Sequence, residues 1–158
     1  MRRGLITLVI ALLFAAPVFI AGEEAPKKPT PKDKCPVCGM FVHKYPDFLA
    51  LIIFKDGSAA FFDGAKDMFK YYFNQQKYSP NQKEADVDSV YVADYYSLGT
   101  IDAAKAYYVL GSDVYGPMGN ELIPFEKEAE ARVFMKDHKG KSLLRFQDIT
   151  YAMVKGME

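Results

Sequence analysis

Both cysteines of this 158-residue chain fall inside one hexapeptide, Cys35-Pro36-Val37-Cys38-Gly39-Met40, and that placement removes disulfide stapling as a way of holding the fold. A bridge across two intervening residues closes so short a loop that it restricts the unfolded chain very little. The chain must therefore fold by burying an apolar core, and the hexapeptide needs a chemical explanation. Three sulfurs in six residues make a soft donor set suited to Cu(I); zinc and iron–sulfur clusters compete for the thiolates, but only copper gains from the thioether. A CxxC pair equally serves a redox disulfide or half of a zinc knuckle, so the remaining residues have to decide.

The chain opens with Arg2 and Arg3 and then runs uncharged from Leu5 to Ala21, the n-region and h-region of a secretory signal over residues 1–22. An uncleaved anchor is the alternative, although the run is slightly short of the roughly 20 apolar residues of a full span. Removing residues 1–22 from 158 leaves 136, and the net charge moves from 0 to −2 as the two arginines leave. That length supports one or two small packed units, and that charge excludes a nucleic-acid partner, which calls for a basic face. Residues 23–34 carry three prolines among alternating charges and no large apolar side chain, the composition of a flexible, solvated linker.

Beyond the linker the pattern is that of an α+β protein of two successive ββαβ units, 35–98 including the CxxCGM segment and 99–158 including a C-terminal tail. Residues 48–54 and 59–62 are apolar around the turn Lys55-Asp56-Gly57-Ser58, a β-hairpin. Asp63 then suits a helix N-cap, with Ala65, Met68, Phe69, Tyr72 and Phe73 as one helical stripe. Residues 74–86 read as a polar loop and 87–96 as a strand rich in β-branched and aromatic residues. The order repeats with a strand at 105–110, a glycine-rich turn at 111–120, a strand at 121–125, a helix at 126–138 closed by Gly140, and a strand at 142–146.

Of the seven methionines, Met68 reads as core. Only Met40, after Gly39, and Met118, within Gly116-Pro117-Met118-Gly119, sit on glycine-rich turns where a thioether can stand clear of the packed layers. His138 suits the last turn of its helix as a charge complement, and His43 stands open between ligand, neighbour of the site and surface residue. Haem attachment needs a histidine where Gly39 stands. A closed zinc site would draw on two cysteines and two histidines far apart in sequence. A thioredoxin-type motif begins a helix inside a βαβ unit, whereas Cys35 follows the linker. Copper fits best, and a thiol–disulfide oxidoreductase using Cys35 and Cys38 remains the alternative.

Cys35-Pro-Val-Cys38-Gly-Met40, the run 101–109 (IDAAKAYYV), and Gly116-Pro-Met118-Gly119 followed by Pro124-Phe125 together resemble the NosL family over roughly residues 33–148. The resemblance implies a periplasmic Cu(I)-binding accessory protein, not an enzyme, that serves the copper sites of nitrous oxide reductase. Carried over by position, the ligands fall on the CxxCGM segment, chiefly Cys38 with Met40 as partner, and on Met118. One departure is plain: many members are lipoproteins whose signal ends in an acylated cysteine, and no cysteine precedes Cys35.

Overall fold

The computed structural model describes residues 27–81 and 86–158. The signal, or anchor, read at 1–22 lies outside the described residues. Among those described, no helix is long and apolar enough to cross a membrane.

The first sheet contains β1 (Ala50–Phe54), β2 (Ala59–Phe62), β3 (Val87–Ala93) and β4 (Thr100–Asp102), in the order β2-β1-β3-β4 and antiparallel throughout. Helices α1 (Ala65–Phe73) and α2 (Gln75–Tyr78) lie between β2 and β3. The second sheet contains β5 (Tyr107–Gly116), β6 (Gly119–Phe125) and β7 (Ser142–Arg145), also antiparallel, in the order β6-β5-β7, with α3 (Glu128–Asp137) between β6 and β7. In both halves the first strand is central, flanked by its hairpin partner and by the strand that follows the helix. That shared arrangement is the repeat suggested by the order of the elements.

Alternation along the second sheet feeds two cores. Tyr108, Leu110 and Leu122 join the large core beneath α1, whereas Val109, Ile123 and Phe125 pack with Ala131 and Phe134 of α3, as the two-residue period of a strand requires. Each fully buried side chain of this size contributes about 1.5–3 kcal/mol relative to exposure. Pro124 is tolerated because β6 is an edge strand, where a missing N–H costs no ladder bond, and its carbonyl accepts from Tyr95 N at 3.0 Å.

Several elements depart from the sequence pattern. Thr100–Asp102, read as opening the second unit, is the edge of the first sheet. The strand read to residue 96 stops at Ala93 because the Asp94 carboxylate takes up Ser97 N and Ser97 Oγ, both at 2.7 Å, an Asx turn that competes with the ladder. Most of the turn read at 111–120 is strand, with a break in register between Leu110 and Tyr115 that begins at Gly111, φ +77°. Residues 75–78 of the presumed loop are helical. The left-handed position after α3 is Lys139, φ +56°, rather than Gly140; Gly140 is needed because a Cβ there would stand 2.5 Å from Val109 Cγ1. His138 is the C-cap of α3 and its Nδ1 lies 3.1 Å from Asp113 Oδ1. Within the C-terminal tail, Thr150 caps the short helix α4 (Tyr151–Lys155), whose Val154 is buried in the large core.

Helix α1 is wrapped on more sides than one stripe allows. It packs against β1, β2, β6 and α4, so Ala65, Lys66, Asp67, Met68, Phe69 and Tyr71 are all buried while Phe73, assigned to the stripe, is exposed. The polar side chains forced inside by this wrapping form the site.

Candidate metal centre

The CxxCGM segment is a closed loop. Gly39, at φ +80°, turns the chain back through the left-handed region that glycine enters without steric cost. Gly39 N then donates to Cys35 O and Cys35 N to Met40 O, both at 2.9 Å, and Lys34 bridges to Phe41. The last residues of the predicted linker are therefore not a free tail: Asp33 N donates to Thr30 O and Val42 N to Asp33 O, pinning the loop base.

The loop sets both sulfurs against the start of α1. Cys38 Sγ donates to Asp63, 3.1 Å from Oδ1 and 3.4 Å from Oδ2, and Cys35 Sγ donates to Asp67 Oδ2 at 3.6 Å. Asp67 lies in the first turn of α1, and Asp63 lies just before the helix, one residue ahead of its N-cap Gly64. Asp63 does not cap the helix as its position suggested, because Gly64 is the N-cap and makes no side-chain bond. Its carboxylate is turned instead to the thiol. One ligand atom from each of Cys35, Cys38, Asp63 and Asp67 lies within 4.8 Å of the others, and among the described residues this is the one such group able to hold a metal ion. Metal–sulfur bonds of about 2.3 Å put two sulfurs on one ion at most about 4.6 Å apart, so the cluster closes on a single ion with little movement.

Cys35, Asp63 and Asp67 are buried and Cys38 is half-buried. Burial pushes the Cys35 thiol far up. It also pushes the Cys38 thiol up to about 12, with the hydrogen bond and charge of Asp63 adding to the rise against the opposing Met40 backbone N–H. Lys70 offsets part of the acidic charge, 3.5 Å from Asp67 Oδ1 and 3.1 Å from Glu158. An apo site of two protonated thiols and two carboxylates is a cation receptor that must give up protons when a thiolate-binding metal enters. The raised thiols differ from the attacking cysteine of a dithiol enzyme, whose pKa is lowered.

Removing the charge of Asp63 tests this directly. Asp63→Asn should lower the Cys38 pKa, and each unit of fall raises the thiolate fraction about tenfold. The alkylation rate of the reduced protein by iodoacetamide at pH 8 should rise accordingly. An unchanged or slower rate would show that the carboxylate does not control the thiol.

Of the four residues singled out by sequence, the structure brings Cys35 and Cys38 together. Met40 is half-buried and closes the same loop through its carbonyl. Met118 is 47% exposed at the tip of the β5–β6 turn, and its carbonyl accepts from Lys66 Nζ at 2.6 Å, which ties that turn to the first turn of α1. His43 is exposed, edge-on to Phe41 with ring centroids 6.1 Å apart, and is not part of the cluster. Asp63 and Asp67 were missed. Their one signal in the sequence was a pair of aspartates four residues apart around Gly64-Ala65-Lys66, where the helix begins.

These features define a small α+β protein of two antiparallel sheets with a buried thiol–carboxylate site fit for one metal ion. The NosL family model matches residues 26–154, and the chain belongs to that family. It is 32% identical to the copper-binding lipoprotein NosL of Achromobacter cycloclastes, over 98% of this chain and 82% of that protein. It is 30% identical to the copper-binding lipoprotein NosL of Stutzerimonas stutzeri, over 78% of this chain and 65% of that one. The fold is similar to the crystal structure of the copper chaperone NosL from Shewanella denitrificans, with a TM-score of 0.68 and 26% identity over 80% of this chain and 96% of that one.

Proposed function

We propose that this protein is an exported copper carrier that holds Cu(I) and hands it to a cuproenzyme in the periplasm, with nitrous oxide reductase as the client and no catalytic turnover of its own. The observation that carries the reading is the convergence of Cys35 and Cys38, with Asp63 and Asp67, on one buried metal-sized cluster; relatives described as copper-binding proteins and a copper chaperone support it. The soft donors Cys35, Cys38, Met40 and Met118 are the Cu(I) ligands. Asp63 and Asp67 are hard donors that suit Cu(I) poorly; they hold the thiol protons until copper displaces them. Two thiols bind one Cu(I) and release two protons, so the exchange balances without a redox step. Handover proceeds by replacing one ligand at a time, beginning with the exposed thioether of Met118. Attachment to the membrane, if the signal is retained, runs through residues 1–22 alone.

The rival cargo is Zn(II), for which Cys35, Cys38, Asp63 and Asp67 form a complete tetrahedral set. Competition between the two metals on the reduced protein, followed by mass spectrometry of the intact chain, should give one Cu(I) per chain with zinc displaced. Asp63→Asn should weaken zinc and leave copper in place. Zinc displacing copper at equal concentration would overturn the reading.

A further inference from the structure

Two buried polar side chains outside the thiol cluster, Lys66 and Glu121, join α1 to the Met118 turn and its strand. Lys66 is 2% exposed, yet its ammonium reaches across the molecule to the Met118 carbonyl at 2.6 Å. Its own backbone N–H donates to Glu121 Oε1 at 2.6 Å, and the same oxygen accepts from Leu122 N at 2.9 Å. Glu121 is 4% exposed on β6, three residues past Met118. The chain has cleared space for this carboxylate on two sides. A Cβ on Gly64 would stand 2.1 Å from Glu121 Oε2, and one on Gly116 would stand 3.0 Å from the same atom. Gly64 has extended backbone, φ −178°, that any residue adopts, so its glycine is required for the close approach.

The Met118 turn and the strand that leaves it are thus both tied to the first turn of α1. Lys66 grips its tip, and Glu121 grips the strand that leaves it, while Lys66 itself sits between Asp63 and Asp67. We propose that Lys66 and Glu121 are positioning residues that fix the Met118 thioether relative to Cys35 and Cys38, so that Cu(I) affinity depends on two side chains that never touch the ion. Burying an ammonium and a carboxyl group costs free energy unless each is hydrogen-bonded. An apolar pair would fill the same volume more cheaply, so a polar pair aimed at this turn and its strand points to fixing geometry. The inference rests on the reading of Met118 as a copper ligand.

A double-mutant cycle tests it, with Cu(I) affinity measured by chelator competition and the apo fold checked by thermal melting. Met118→Leu keeps volume, should cost the fold less than about 1.5 kcal/mol, and should lower affinity at least about tenfold. Lys66→Leu should lower affinity about tenfold in the native background and leave it unchanged in the Met118→Leu background. Gly64→Ala, which displaces the Glu121 carboxyl group while leaving Lys66 and Met118 unsubstituted, should repeat that pattern and serves alone if Lys66→Leu does not fold. Equal losses in both backgrounds, or no loss in the native one, would overturn the clasp while leaving Met118 a ligand. Unchanged affinity in Met118→Leu itself would remove the ligand reading, and the clasp's purpose with it.

Discussion

Replacing Cys38 by serine should cut Cu(I) affinity by more than about a hundredfold and leave the apo fold intact. Outer-shell changes at metal sites already cost about 10–100-fold, and this substitution removes a ligand atom, exchanging a soft thiolate for a hydroxyl that Cu(I) accepts poorly. The fold survives because serine is nearly isosteric and its hydroxyl can still donate to Asp63, which accepts from Cys38 at 3.1 Å; the expected loss in stability is at most about 1 kcal/mol. Oxidising Cys35 and Cys38 to a disulfide should reproduce the loss, since ligation requires thiolate, and reduction should restore it. Chelator competition on the native, serine and oxidised forms measures all three. A serine variant that bound Cu(I) like the native chain would remove Cys38 from the ligand set and leave Cys35, Met40 and Met118.

The repeat of hairpin, helix and strand was legible because each segment satisfies one period at a time: 48–54 and 59–62 around Gly57, then 65–73, then 87 onward. What escaped depends on contacts between the halves. Nothing within 63–73 states that β6 and α4 will cover the faces of α1 that a stripe leaves to solvent, and so nothing there marks Lys66 and Asp67 as buried. Asp63 was assigned to a cap because an aspartate before a helix usually makes one; only the arrival of Cys38, 25 residues away in the chain, gives its carboxylate a different partner. The thiols were visible from their spacing. The carboxylates that set the protonation of those thiols, Asp63 just before α1 and Asp67 within it, form no pattern of their own that marks them as partners of the thiols.

The protein should become less stable as pH rises from about 5 to about 8, and Glu121 should be the cause. Burial pushes the Glu121 carboxyl up to about 8 from its ordinary 4.5, outweighing the N–H donors of Leu122 and Lys66 and the Lys66 charge, while Asp67 adds to the rise. Between those two values the folded chain holds a proton that the unfolded chain has released, so unfolding loses a proton and stability falls as pH increases; above about 8 both states are ionised and the slope ends. The full effect is on the order of a few kcal/mol. Other shifted groups act outside this window: Asp94 and Asp113 are held below the ordinary carboxylate range, so their contribution is lost only in acid, and both thiols are pushed above their ordinary 9.0. Glu121→Gln keeps the Oε1 acceptor for Lys66 N and Leu122 N but cannot ionise. Urea denaturation at pH 5 and pH 8 should therefore show a lower midpoint at pH 8 for the native chain, and a variant that has lost most of that difference and gained stability at pH 8. A native midpoint independent of pH, or a glutamine variant that keeps the fall, would place the ionisation of Glu121 outside this range.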